Sequence, residues 1–529
     1  MSSLGVRAGT GKSKVEMTMI SQTAIGINSV LHTRRALLKT AMMAGIVATH
    51  RWPIFAEEKT NSQSQVVQMM SKAQALEDFH CLRQALEEAH AGLYRYANKV
   101  QMDNRFDACQ SKINRPMSHT AFWVIVSQML TSIRCGHTGT NPPVDTSSAA
   151  AAARKFPFRV QIEHNDRLFV LLNDSSVDQA TSPGMEVLEI NGHAVKDILA
   201  RMFGVISGDG DILTAKQAHM DNFALYYWLL FEQDEQFRIG LRSSTGGAFK
   251  IVLDGVLDSD REKNKNPLND AVREGLAVVN WSHNDFALRF MPDTKIAEMS
   301  IRHFAGNQYP TWLEDSFKTL REQKVESLIL DLRGNGGGVD MYGASLISHL
   351  VSHEFRYFDH IRMRSINPSF SAQSDWNQKT AQMLATGTVK DHRGGYLAAP
   401  GLQPGLLPQQ PAQLPFLGRL IVLTNGRTFS TAADVAAVLK NLKRGTFIGQ
   451  ETGGGFQGNN SGIKATVILP NSNLHVGIPM WAYWNSVDDK TNQRRGTIPD
   501  QAVSNTVASL MQGVDIVRGA ALTRLETTV

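Results

Sequence analysis

The chain has 529 residues, and a single apolar core stops growing near ~250–300 residues, so two or three domains are expected. Its 42% hydrophobic and 19% charged content is that of a globular protein and excludes a disordered or fibrous chain. The formal charge of +5 gathers at the start: the first 56 residues hold seven Lys/Arg and one Asp/Glu. The rest is close to neutral, so the basic balance does not point to nucleic acid.

Thr33-Arg34-Arg35-Ala36-Leu37-Leu38-Lys39 resembles a twin-arginine export motif, and the short apolar run Thr40 to Thr49 follows it. Ile54-Phe55-Ala56 suits the residues before a cleavage point, so residues 1–56 are expected to be an export signal and the mature protein periplasmic or extracellular. The long stretch before Thr33 makes Met17 or Met19 an alternative start. A membrane span needs ~20 apolar residues, and no segment qualifies; the longest run, Phe223 to Phe231, suits a buried element.

From Lys72 to Ile133 the pattern is helical. Leu76, Phe79, Leu82, Leu86 and Ala89 recur every three or four residues, as do Phe122, Val126 and Leu130. A helical N-terminal domain over 57–150 is expected. It ends in Cys135-Gly136-His137-Thr138, before the turn-forming Asn141-Pro142-Pro143. His137 leaves a helix beside a glycine, a position from which an imidazole can reach across a cleft. Cys81, Cys109 and Cys135 are too few and too scattered for a zinc site. Cys81 and Cys109 are expected in helices, where an oxidising compartment would let them pair. Cys135 lacks an adjoining glycine-rich loop, which argues against a thiol nucleophile.

Phe156 to Val252 alternates short strands and helices. Pro183 to Val195 (PGMEVLEINGHAV) resembles the strand and Asn-Gly turn of a PDZ-like domain, a fold that receives peptides by strand addition. A PDZ-like β domain and linker are therefore assigned to 151–280. A structural β domain framing a cleft is the competing reading. Asp254 to Pro267 reads as a charged surface connection.

The remainder, 281–529, has α/β periodicity. Ile296 to Ile301 reads as a strand, Leu313, Phe317 and Leu320 as one face of a helix, and Val325 to Leu332 as a buried strand. Arg333-Gly334-Asn335-Gly336-Gly337-Gly338 follows at once; glycines there let backbone approach a ligand closely and aim N–H groups at it. A phosphate loop is excluded by the missing Lys-Ser/Thr ending. Met341 to Val351 reads as a helix. Gln373 to Gln413 is long for a connection and is expected to border the site. Arg419 to Thr424 reads as a strand ended by Asn425-Gly426, and Val435, Val438, Leu439 and Leu442 give one face of the next helix. Ser430 lies where that strand turns into the helix. Two readings are open for it: an N-cap, the usual role of serine there, or a nucleophile beside unpaired helix N–H groups. Val467 to Ser472 and Leu474 to Ile478 read as a hairpin.

LILDLRGNGGG, VLTNGRTFSTAAD, FIGQETGGG and RGTIPD, in that order, resemble the core of the C-terminal processing (tail-specific) serine peptidases, the group of tricorn protease and the interphotoreceptor retinoid-binding protein modules. The resemblance spans roughly 281–503. It implies a crotonase/ClpP-like α/β core, a polypeptide substrate, and no metal or organic cofactor. It also implies Ser430 as nucleophile, with N–H groups of Gly336 or Gly337 and of Thr431 as oxyanion donors. In one branch a Cys-Gly-His-Thr segment supplies the base, which would be His137. Serine–lysine members carry a lysine some 25 residues past the serine, where this chain has Gly455; Lys440 and Lys443 belong to the expected helix. An orienting glutamate precedes Gly-x-x-Pro-Asp in tricorn-like members, and that position holds Gln493. Glu451 and Asp434 are alternative acids. The same fold without catalysis, as in the retinoid-binding modules, would make a binding protein; an acyl-CoA enzyme of the crotonase type would need a signature the chain lacks.

Overall fold

The computed structural model describes residues 69–163, 166–282, 284–370 and 374–527. The export-signal assignment over 1–56 lies outside them. Helices α1 (Lys72–Ala89), α2 (Lys99–Gln110) and α3 (His119–Ile133) open the described chain. α1 starts at a capping box, in which the Ser71 hydroxyl accepts from the Gln74 N–H and the Gln74 side chain accepts from the Ser71 N–H. Phe79, Leu82, Leu86 and Ala89 are buried on the face their spacing marks. α1 and α2 are tied by Arg83, which donates to Asp103 and Asp107 at 2.9 Å. Cys81 and Cys109 do not pair: both are free thiols, the first half-buried and the second buried.

After α3 the chain passes through strand β1 (Gly139–Thr140) into an antiparallel sheet. Its strands are β2 (Phe158–Glu163), β3 (Arg167–Asn173), β4 (Glu186–Ile190), β5 (Gln236–Arg242) and β6 (Ala248–Asp254), in that spatial order. Between β4 and β5 lie α4 (Val195–Phe203) and α5 (Phe223–Leu230), the latter being the apolar run noted above and largely buried.

A second sheet has the order β7 (Phe286–Phe290), β8 (Ile296–Ile301), β9 (Ser327–Asp331), β10 (Arg419–Thr424), β11 (Thr446–Gly449), β12 (Gln501–Ala502). Only β7 is antiparallel to its neighbour. Its central strands are apolar without alternation because both faces are covered. Leu328, Leu330, Val422 and Phe447 face the main core. Ile329, Ile421, Leu423 and Ile448 face the C-terminal helix through Val517, Ala521 and Leu525. The helices α6 (Tyr309–Glu322), α7 (Asp340–Ser348) and α8 (Thr431–Asn441) follow β8, the glycine loop and β10.

The third sheet is built on the hairpin β13 (Asn460–Ile468) and β14 (His475–Asn485), and β1 pairs with it through Gly139–Gly477 and Thr140–Val476. The stretch 374–413 is structured, with a helix over Gln378–Gly387 and short strands joining this sheet. One apolar core runs through α1–α3, the antiparallel sheet and the α/β region. Among the described residues no helix is long and apolar enough to cross a membrane.

Candidate active site

β10 ends at Thr424, and two loops then lock together. The Gly334 N–H donates to Asn425 Oδ1 at 3.0 Å, the Phe429 N–H to the Asn335 carbonyl at 2.9 Å, and the Thr428 hydroxyl to the Leu332 carbonyl at 2.9 Å. The loop is rooted by Arg333, which bridges Asp331 and Asp515 at 2.9 Å in the protein interior. Asn335 is fully buried and donates to the Ile301 carbonyl. These bonds carry the glycine run to the turn that precedes α8.

Ser430 is not a side-chain cap. It precedes the first residue of α8 with φ 53° and ψ −133°, and its hydroxyl makes no cap hydrogen bond. A residue with a Cβ held at such a positive φ stores on the order of 1–3 kcal/mol, a strain that clusters at functional sites. The surroundings leave no slack. A Cβ at Gly337 would lie 2.6 Å from the Ser430 Cβ, and one at Gly454 would lie 2.6 Å from the Ala433 Cβ and 3.2 Å from the Ser430 N. Glycine is therefore required at both positions.

The two glycines expected as oxyanion donors differ. The Gly337 N–H is spent on Asn335 Oδ1 at 2.9 Å. The Gly336 N–H donates to none of the described residues, and a Cβ at Gly336 would meet nothing within 4 Å, so Gly336 faces open space. Thr431, first residue of α8, has an N–H without an intrahelical acceptor, as at every helix start.

His137 reaches this place from a separate part of the chain. α3 ends at Arg134 in the left-handed conformation, φ 65°. The Gly136 N–H donates to Asp209 Oδ1 at 2.7 Å, Cys135 Sγ to the Asn460 carbonyl at 3.6 Å, and Thr138 Oγ1 lies 2.7 Å from His90 Nε2. The His137 ring stacks on Phe429, the residue before Ser430, with centroids 4.5 Å apart and planes at 27°. The loop thus brings the imidazole beside the serine turn.

Residues 295–503 match the model of peptidase family S41. This chain carries an S41 peptidase domain and is a serine-type peptidase. No curated protein matches it. Among solved structures, mature CPAF aligns with a TM-score of 0.55 at 14% identity, over 84% of this chain and 94% of that one. Mature CPAF complexed with lactacystin aligns at 0.55 and 15% identity, over 86% and 97%. At such identity the likeness is one of fold.

The three candidates for orienting the histidine, one glutamine and two acids, are each engaged with other groups. Gln493 is exposed and donates to the Asp489 carbonyl at 3.0 Å, within its own turn. Glu451 is committed to Arg495 at 2.7 and 2.8 Å and to the Gly496 N–H at 2.8 Å. Asp434 is buried in α8 and accepts from Asn459 and Asn485. Burial, and next to it the Asp340 charge, hold Asp434 well above the usual carboxylate range. Asp340 is itself pushed up to about 6 by burial, against the pull of the Thr431 hydroxyl, which donates to it. Lys440 pairs with Asp500 at the far end of α8. Cys135 is fully buried, and burial raises its thiol to about 11, so no thiolate is available.

Asp209 was not singled out from the sequence. It is buried, and burial pushes it up to about 6 against the opposing pull of the Gly136 N–H and the Arg95 charge. The signal for it lay in Ser207-Gly208-Asp209-Gly210-Asp211, an acid set between two glycines as His137 is set beside one. Gly210 also donates to the Arg134 carbonyl, and Asp211 pairs with Arg134 and Arg494, so the whole segment clamps the histidine loop.

Proposed function

We propose that this S41 peptidase cleaves polypeptides through an acyl-enzyme on Ser430. His137 takes the hydroxyl proton as Ser430 Oγ attacks the scissile carbonyl carbon. The C–N bond then breaks, His137 returns the proton to the leaving amine, and water releases the acyl group by the same route. The N–H groups of Gly336 and Thr431 hold the oxyanion, the second aided by the α8 dipole. Asp209 acts as a positioning residue by fixing Gly136, one residue from the base. The observation that carries the reading is Ser430 itself: strained, uncapped, and pressed against Gly337 at a helix start.

The test is labelling with a fluorophosphonate, mapped by mass spectrometry, in the wild type and in Ser430→Ala. A label on Ser430 that the variant loses is expected. Absence of labelling together with absence of hydrolysis of any peptide would sink the reading and leave a binding protein on this fold.

Two further parts of the reading concern the flanks. The antiparallel sheet over 158–254 is read as PDZ-like, supported by the Asn191-Gly192 turn, where φ is 50° and 86°. Residues 1–56 are read as a twin-arginine export signal. Arg34→Lys with Arg35→Lys should retain the protein in the cytoplasm, and unchanged export of that double variant would remove the assignment.

A further inference from the structure

A cavity of about 290 Å³ lies against His137, between α3, β1, the segment after α4 and the β13–β14 hairpin. Trp123, Leu130, Val205 and Ile206 supply apolar wall, and His219 and Lys464 lie on it with His137. No Asp or Glu lines it. Lys464 is half-buried on β13, opposite Pro479, beside a break in the ladder register. Among the described residues its ammonium meets no carboxylate and no hydrogen-bond acceptor. Burial of its stem and surroundings holds its pKa below the ordinary lysine value. Ser127, Asn141, Ser207 and Tyr226 add polar groups to the wall; a cation beside apolar and hydroxyl-bearing wall, with no carboxylate in the lining, is complementary to a carboxylate on a short methylene stem.

We propose that this cavity is a substrate subsite for a carboxylate flanking the scissile bond, with Lys464 as the residue that selects it. The inference rests on the peptidase reading of Ser430 and His137. An incoming carboxylate supplies the missing partner of Lys464, and its stem covers Leu130, Val205 and Ile206. Aspartate and glutamate side chains and a chain-terminal carboxylate share this chemistry.

Peptides that differ only by Glu or Gln at each flanking position, each made as free acid and as C-terminal amide, separate those sources. Their Kd is measured on Ser430→Ala by fluorescence anisotropy and their kcat/KM on the wild type. A charge-assisted hydrogen bond should favour Glu over Gln at one position by roughly 10- to 100-fold. Lys464→Met should abolish that ratio, Lys464→Arg should retain it, and Lys464→Glu should reverse it in favour of Gln. A preference that follows the free terminus instead of the side chain identifies the terminal carboxylate as the guest. Equal binding of all four peptide forms, or a preference that persists in folded Lys464→Met, overturns the subsite. Because anisotropy needs no turnover, this outcome is separate from failure of Ser430 to label, which concerns the peptidase reading alone.

Discussion

On the serine side, residues 424–431 are held by hydrogen bonds between Asn425, Thr428 and Phe429 and the backbone of the glycine loop and by the absence of a Cβ at Gly337 and Gly454. On the histidine side, residues 134–140 are held by polar contacts from far along the chain: His90, Asp209, Asn460 and the edge of the hairpin. The first arrangement is steric. It admits no added atom, because close-packed backbone cannot yield by the several tenths of an ångström a Cβ demands. The second is a set of separate polar tethers, each of which can be cut alone, with a graded effect. The two sides touch where the His137 ring lies on Phe429.

The strongest break removes either reacting group. Ser430→Ala and His137→Ala should each lower kcat by roughly 10⁴–10⁶-fold, and the double variant should be hardly worse, since a base without its nucleophile contributes little. Peptide turnover by the three purified variants, with circular dichroism as folding control, checks this; full activity in folded His137→Ala would remove the histidine from the mechanism.

The steric side is sharpened by comparing adjacent glycines. Gly337→Ala pushes a methyl to 2.6 Å from the Ser430 Cβ at a φ of 101°, whereas Gly336→Ala enters open space. Displacing the nucleophile from its oxyanion donors should cost Gly337→Ala about 10²–10³-fold in kcat. Its Tm should fall, while Gly336→Ala melts like the wild type. Equal Tm values for the two would show that the loop does not press on Ser430 in solution.

The polar side is broken by Asp209→Asn, with a smaller loss of roughly 10- to 100-fold in kcat, in the range of losing a supporting contact to an active group. The same variant tests burial. The Asp209 carboxyl ordinarily ionises near 3.8 but keeps its proton to about 6 in the fold, because burial disfavours the charge. The folded state therefore binds more protons than the unfolded state over that window, and stability falls as pH rises from about 4 to about 6, then levels. Asp340, also raised to about 6, adds to the same fall. Denaturant unfolding across that range should show a shallower decline in Asp209→Asn; an unchanged slope would mean Asp209 is not the buried acid described here. The smallest effect belongs to Gln493→Ala, which should leave kcat/KM within about twofold because the side chain only ties its own exposed turn.

The comparison also sets what could be read in advance. The strands Ile296–Ile301 and Arg419–Thr424 coincide with the apolar runs that predict them. A parallel strand buried on both faces must be apolar throughout, and its neighbours in sequence must be turns. The position of Ser430 at a strand-to-helix turn followed from the same local periodicity, as did the family resemblance carried by its motifs. Whether Ser430 caps its helix did not follow, because that depends on its φ of 53° in a turn packed closely against Gly337. The separation of Gly336 from Gly337 as donors hung on one hydrogen bond from Asn335. Gln493 was drawn from a motif offset, but an offset fixes distance along the chain and not the direction of a side chain. Asp209 carried only the faint signal of its flanking glycines and Lys464 none; contacts with Gly136 and with the wall of the His137 cavity are what mark them. The sequence by itself determined the strands, the turn and the place of Ser430 at that turn, since these answer to neighbours a few residues away. The tertiary structure decided which polar groups surround the histidine, since desolvation and pairing depend on residues brought together from distant parts of the chain.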